Sequence, residues 1–441
     1  MKWSTLPVLL VVILHFSGQI RVTAGQDTNV RYILYDVNPG EGFNLRRDVF
    51  MRVAVFVKKL NQAKRGKFVL VLPPWGRLFH WQTRELGRQV KIPWKSFFDV
   101  NSIRRYVPAI ELEEFLEREG PIIDTVLYLQ SYKEGWEGNF EYKHDFRECL
   151  SENHPYVKEE EFFSGWFWDY EEIKARNFQC LSVQGPTSVI KDLILNDMGG
   201  QRAIMLDRAE NLLHDYFGDA EYWMARRSMR FADDLVQVAD EFREKFLSSN
   251  NAIDNTVISK KWEDHEAIRE PRGGNYLCVH LRRNDYVYSR KKQIPSLTGA
   301  AEQVRNKLVD KGLTRVFVST DASVEEFNEF KVALDDSFEV LKYTPDHETL
   351  LRVKDGGVAI IDQLICSRAR TFLGTPESTF TFRIQEEREI LGFPLEENFN
   401  MLCPDDKPHC EKASQWKIVY PPKKPRASFE DTKPTPEHLE L

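Results

Sequence analysis

The sequence predicts an α/β protein of two domains, each built on a parallel sheet. Three observations predict it. A strand–helix–strand unit occupies residues 31–72. Strand-like and helix-like segments alternate regularly after Tyr276, and such alternation demands parallel pairing with right-handed crossovers. Two polar breaks, 248–255 and 269–275, separate these halves, and 441 residues exceed what one core usually holds. The expected division is therefore 25–250 and 251–420.

The chain begins with Lys2, an apolar run over 6–16 and the small-residue end Val22-Thr23-Ala24. That order predicts a secretory leader over 1–24. The run is too short to span a bilayer comfortably, and no later stretch is long and apolar enough to do so. A net charge of −7 argues against a general nucleic-acid binder, so any anion site must be local.

Residues 31–36 form a β-like run. Leu45, Val49, Val53, Phe56 and Leu60 then recur at helical spacing, and 68–72 is the next strand, ended by Pro73-Pro74. The turn between strand and helix carries Gly40, Glu41, Gly42, Phe43 and Asn44. Free amides at a helix N-terminus welcome an anion. Glu41 lies between two glycines at a strand end. It reads either as an ordinary loop glutamate or as a carboxylate placed for proton transfer.

Residues 122–129, 181–183 and 203–206 are predicted strands, with a helix over 188–195. The segment 130–179 is charged, aromatic and irregular. Its Gly165-Trp166-Phe167-Trp168 run reads either as a recognition surface or as a satellite core. Phe231, Leu235, Val238, Phe242 and Phe246 make one helical stripe, which core packing explains.

The strand 276–281 opens the second half and ends in His280, Arg282, Arg283 and Asp285. Ligands in open α/β sheets bind at the carboxyl ends of strands. A planar, permanently charged arginine there suits a phosphate; the alternative is a solvated basic turn. Helices follow at 297–308, 324–334, 356–369 and 380–391, with strands at 316–321, near Val340 and at 371–374. Ser378 and Thr379 read as a helix N-cap or as a second phosphate cradle facing Arg282. The Pro- and charge-rich 421–441 is an expected disordered tail. Its last four residues, His438 to Leu441, echo a luminal retrieval signal.

Six cysteines fit an oxidising compartment. Cys403 and Cys410 bracket a short loop and are expected to staple it. Cys149 and Cys180 flank the polar insertion and could pair likewise. Cys278 and Cys366 fall inside a strand and a helix and read as buried free thiols. No cysteine or histidine cluster predicts a metal site.

Several long runs carry a family resemblance. They are Tyr35 to Pro39, Gly42 to Asp48, Pro73 to Arg77, Met205 to Asn211, Val279 to Asp285, Asp355 to Gln363, Ser378 to Phe380, and Arg383 to Gly392. Together they resemble the type-2 branch of the GDP-fucose protein O-fucosyltransferases, which modify thrombospondin type 1 repeats. The resemblance covers about 31–420; Cys278, Asn284 and Pro376-Glu377 are its points of departure.

The resemblance implies two facing Rossmann-like domains of the GT-B type with an interdomain cleft. It also implies an inverting transfer of fucose from GDP-β-L-fucose to Ser or Thr hydroxyls of folded repeats, with no cofactor or obligatory metal, in the endoplasmic reticulum lumen. Residue by residue, Glu41 takes the general-base position. Gly40, Gly42, Phe43 and Asn44 line the donor loop, and His280, Leu281 and Arg282 match the strand tip that meets the donor. Asp362, Ser378, Thr379 and Phe380 match further donor contacts. Glu387 matches a position important to activity, with no role assignable from spacing. EGF-like repeats are the alternative acceptor, and a non-catalytic luminal binding protein is the alternative class. A kinase ranks low because no Gly-x-x-x-x-Gly-Lys-Ser/Thr loop is present.

Overall fold

The computed structural model describes residues 29–422 except 136–139, 153, 267–269, 399, 408–409 and 411–415. The expected leader and most of the expected tail lie outside the described residues.

Two sheets organise the chain. In the first, six strands run parallel in the order Ala109–Glu111, Lys67–Leu72, Val30–Tyr35, Ala203–Asp207, Ile122–Gln130 and Lys174–Gln184. Short antiparallel strands extend it beyond Lys174–Gln184. The second sheet is wholly parallel, in the order Glu339–Leu341, Arg315–Thr320, Gly274–Leu281 and Ala369–Gly374.

Each sheet reverses direction at its opening strand. Val30–Tyr35 lies between Lys67–Leu72 and Ala203–Asp207, and Gly274–Leu281 between Arg315–Thr320 and Ala369–Gly374. Crossovers leave such a strand in opposite directions, so a crevice opens beyond its carboxyl end. The Glu41 turn and Arg282 follow these two strands.

Alternation along Gly274–Leu281 decides what each residue faces. Leu277, Val279 and Leu281 enter one core with Ala300, Val304 and Phe330. Tyr276 and Cys278 enter the other core, beneath the helix His347–Ser367. That second core continues into the first domain through Phe43, Phe97 and Trp81. Gly356 permits the junction, since a Cβ there would lie 2.6 Å from Phe97 Cζ and 2.7 Å from Trp81 Cζ2.

Most predicted elements form within a few residues of their expected bounds, and three expectations need revision. Cys278 and Cys366 are not free: they are disulfide-bonded, with Cα atoms 5.1 Å apart. Each sequence pattern placed its cysteine in a buried face, but neither could reveal that the helix lies over that strand. The pairs Cys149–Cys180 and Cys403–Cys410 also form. The helix expected over 188–195 is a short 3-10 turn, Thr187–Ile190, and a π-helical turn, Leu193–Asp197. There the Arg31 guanidinium takes the carbonyls of Ile194 and Met198. The helix Asp233–Leu247 buries Leu235, Ala239, Arg243 and Leu247, whereas Phe246 is 42 % exposed. Its Phe242 packs on Phe317 and Tyr343, so this helix lies against the second sheet although it precedes residue 251. Of the two readings of the Gly165–Trp168 run, the satellite core holds for Phe167 and Trp168, which are buried beside Tyr156.

The Cys278–Cys366 bond closes a span of 88 residues. Replacing both cysteines by alanine is expected to lower stability by about 2–4 kcal/mol, chiefly by freeing the unfolded chain. Denaturant midpoints of the two proteins check this, and equal midpoints would refute it.

Candidate active site

Glu41, His280, Arg282, Asp362, Ser378, Thr379 and Phe380 line one cavity of 610 Å³ between the two sheets. That volume suits a ligand the size of a sugar nucleotide. Gly42, Phe43 and Asn44 line it from the first domain.

The Glu41 turn is held from below. Arg46 Nε donates to the Glu41 carbonyl at 3.1 Å, and its guanidinium lies 3.7 Å from the Asp36 carboxylate. The Glu41 amide donates to Asn38 O, and the Asn38 amide to Glu210 Oε2. The backbone is thus fixed while the Glu41 side chain stays half-buried at the cavity wall.

Two helices point their N-termini at this cavity. Phe43–Gln62 and Thr379–Leu391 both lack a side-chain cap bond and an acidic residue in the first turn. Ser378 occupies the N-cap position without capping. Both helices therefore present uncapped amides and positive dipole ends to the cavity. Arg282 adds a full charge. Its Nη1 lies 2.6 Å from Asp321 Oδ2, and Nη2 pairs with Asp285 and lies 3.3 Å from the His80 ring.

His280 sits at the cavity floor, 4 % exposed, stacked on Phe380 with centroids 4.4 Å apart. Burial, then Arg282, pushes its pKa down to about 3, so the ring is neutral at physiological pH. Thr381 Oγ1 donates to Thr375 O at 2.9 Å and therefore receives the His280 Nδ1–H at 2.8 Å. Nε2 is left as an acceptor. Gly374 allows this approach, since a Cβ there would meet Thr381 Cγ2 at 2.2 Å.

Asp362 is half-buried on the helix His347–Ser367, at the cavity wall. Ser319 Oγ donates to Oδ2 at 2.7 Å, and the buried Oδ1 has no partner. Burial raises its pKa to about 7, opposed by the Ser319 bond. A buried carboxyl oxygen left unpaired in a cavity wall is a vacant acceptor for ligand N–H groups.

Three named residues stand apart from the cavity lining. Gly40 is exposed beside it. Leu281 turns its side chain into the core. Glu387 is buried behind the site, 3.1 Å from Arg226 Nη2, in an ion network that also holds Glu386, Arg383 and Asp48. Arg226 and its neighbours hold the Glu387 carboxyl below the usual range against the cost of burial. This network fastens the helix Thr379–Leu391 to the first domain.

The sequence did not single out His80, Trp81, Gln82 and Thr83, which line the cavity, with His80 in contact with Arg282. Only the aromatic pair flanking His80 hinted at them. Nor did it single out Asp321 and Asp355 as site residues, although Asp321 ends a predicted strand.

The chain matches the family described as GDP-fucose protein O-fucosyltransferase over residues 32–391. It is 46% identical over 394 residues to GDP-fucose protein O-fucosyltransferase 2 of Caenorhabditis elegans, covering 88% of this chain and 90% of that protein. The Homo sapiens protein of the same name is 47% identical over 402 residues, covering 90% and 92%. Among solved structures, POFUT1 in complex with GDP superposes with a TM-score of 0.53 at 17% identity, covering 86% of this chain and 98% of that one. POFUT1 in complex with GDP-fucose gives 0.51 at 16%, covering 86% and 99%. At such identity these two speak for the shared fold alone.

Proposed function

The chain belongs to the GDP-fucose protein O-fucosyltransferase family and is a fucosyltransferase; on that premise we propose how it works and on what. The reading is transfer of fucose from GDP-β-L-fucose, with inversion, to Ser or Thr hydroxyls of folded thrombospondin type 1 repeats. One observation carries it: Glu41 on one wall of the cavity, and Arg282 with a helix N-terminus on the other.

A serine or threonine hydroxyl is a weak nucleophile near neutral pH. Glu41 accepts its proton as it attacks the anomeric carbon. The bond to the β-phosphate breaks on the opposite face, so the anomeric centre inverts. Arg282 and the amides of Thr379–Leu391 take up the negative charge gathering on GDP. These groups supply the positive charge the step needs, so the reading invokes no metal. His280 stays neutral and offers Nε2 to a donor hydroxyl. Glu387 acts indirectly, by holding the helix that presents Thr379 and Phe380. Three disulfides and the expected leader support residence in the lumen of the endoplasmic reticulum.

Asp362 gives the reading its base preference. Guanine presents N1–H and N2–H to a carboxylate, and adenine has no such edge. Asp362→Asn is expected to raise KM for GDP-fucose by about 10–10²-fold, since a buried charged hydrogen bond is lost. The same change should stabilise the free enzyme at neutral pH. The folded-state pKa of Asp362 is raised to about 7 from the ordinary aspartate value of 3.8, so between these values the folded protein holds a proton that the unfolded chain has released. Its contribution to stability therefore falls as pH rises from about 4 to about 7 and is level above that. Melting curves of both proteins at pH 5 and pH 8 check this. A variant no more stable than the parent at pH 8 would contradict it.

The functional test is incubation with GDP-fucose and either a folded thrombospondin type 1 repeat, the same repeat reduced, or a folded EGF-like repeat, read by intact mass. One added deoxyhexose on the folded thrombospondin repeat alone is expected. Addition to the EGF-like repeat alone would move the acceptor, and no addition to any repeat would favour a binding role.

A further inference from the structure

Asn44 lines the cavity from the first turn of Phe43–Gln62, and two residues grip it from behind. Arg47 Nη1 donates to Gln363 Oε1 at 2.7 Å and to Asn44 Oδ1 at 3.2 Å. Gln363 Nε2 donates to Asn44 Oδ1 at 2.9 Å. Arg47 belongs to the first domain and Gln363 to the second, beside Asp362.

A guanidinium can only donate, so its position fixes both amides with their oxygens toward it. Asn44 Oδ1 is thereby committed to the rear, and the Nδ2 hydrogens remain for the cavity.

Arg47 is an expensive way to do this. It is 0 % exposed, caged by the rings of Phe43, Phe98 and Phe231 at 5.8, 5.5 and 5.2 Å. Among the described residues its side-chain bonds go to amide oxygens and to no carboxylate, and its Nε and Nη2 lack partners. Burial, then the nearby Arg226 and Arg383, weaken its hold on its proton, and the more distant Glu386 and Glu387 only partly oppose them. An apolar side chain would fill the cage at lower cost. Packing alone therefore does not account for an arginine here.

We propose that Arg47 and Gln363 are positioning residues that lock the Asn44 amide with its NH2 toward the cavity, making Asn44 a second donor, beside Arg282, to the departing diphosphate. The proposal rests on the sugar-nucleotide reading above. A cation against the amide oxygen polarises the amide and strengthens its N–H donors. The gain grows as negative charge gathers on the phosphate, so it falls on kcat more than on KM. Because the lock spans the cleft, it also ties the wall bearing Glu41 to the wall bearing Asp362.

Gln363→Met keeps the volume and deletes two of the three bonds, without exposing the arginine to replacement. The expected result is a fall in kcat of about 10-fold, with KM for GDP-fucose changed less than about 3-fold. Asn44→Ala should cost more, about 10²-fold. The double variant should be no slower than Asn44→Ala, because Gln363 acts through Asn44. Multiplying effects in the double variant, or a lowered melting temperature with kcat intact in Gln363→Met, would overturn the proposal. An unmutated enzyme that transfers no fucose from GDP-fucose to any of the repeats would remove the donor reading itself, and the proposal with it.

Discussion

Glu41→Ala is expected to lower kcat for fucosyl transfer by about 10²–10⁴-fold while leaving GDP affinity close to that of the parent. The turn that carries Glu41 is held by main-chain bonds and by Arg46, none of which uses the Glu41 side chain. Truncation should therefore leave the loop in place and remove only the proton acceptor. Glu41→Gln is the sharper control, because it keeps the shape and loses the basicity. Both variants should bind GDP by calorimetry and fail in the transfer assay. Turnover near the parent's in either one would strike Glu41 from the mechanism.

Arg282→Ala should be nearly as severe, by about 10²–10³-fold in kcat, and should weaken GDP binding as well. The reason lies in its neighbours. Arg282 now neutralises Asp285 and Asp321, both of which line the same cavity. Removing the guanidinium takes away the cation that meets the diphosphate and leaves two carboxylates to repel it. Arg282→Lys keeps the charge but not the planar fork, and should recover binding better than rate. Unchanged kcat and GDP affinity in Arg282→Ala would reject the phosphate role. The two variants also differ in pattern: loss at Glu41 falls on rate alone, whereas loss at Arg282 falls on rate and affinity.

Much of this site was legible before any coordinates. The turn formers around Glu41 and the apolar run ending in His280 and Arg282 mark strand ends by composition. In a parallel sheet, strand ends are where ligands sit. Ser378 and Thr379 were legible as a helix start, but not which of their two roles they fill. The wall formed by His80 to Thr83 was not legible. It belongs to an irregular loop after Pro74, and nothing local says that such a loop folds back on Gly356. The Cys278–Cys366 bond escaped for the same reason. Two separately buried positions became neighbours only when the helix His347–Ser367 settled across the strand Gly274–Leu281.

The amino-acid order by itself determined the parallel α/β class, the two strand tips that bear the chemistry, and the residue types available there. Periodicity and turn chemistry are local, and they survive in any fold that keeps the strands parallel. Tertiary structure alone decided which tip faces which, that Asp362 keeps an unpaired oxygen, that Glu387 stands behind the site, and that Arg47 and Gln363 meet across more than three hundred residues. Those outcomes depend on how one sheet docks against the other, and docking is fixed by shape and burial summed over whole surfaces.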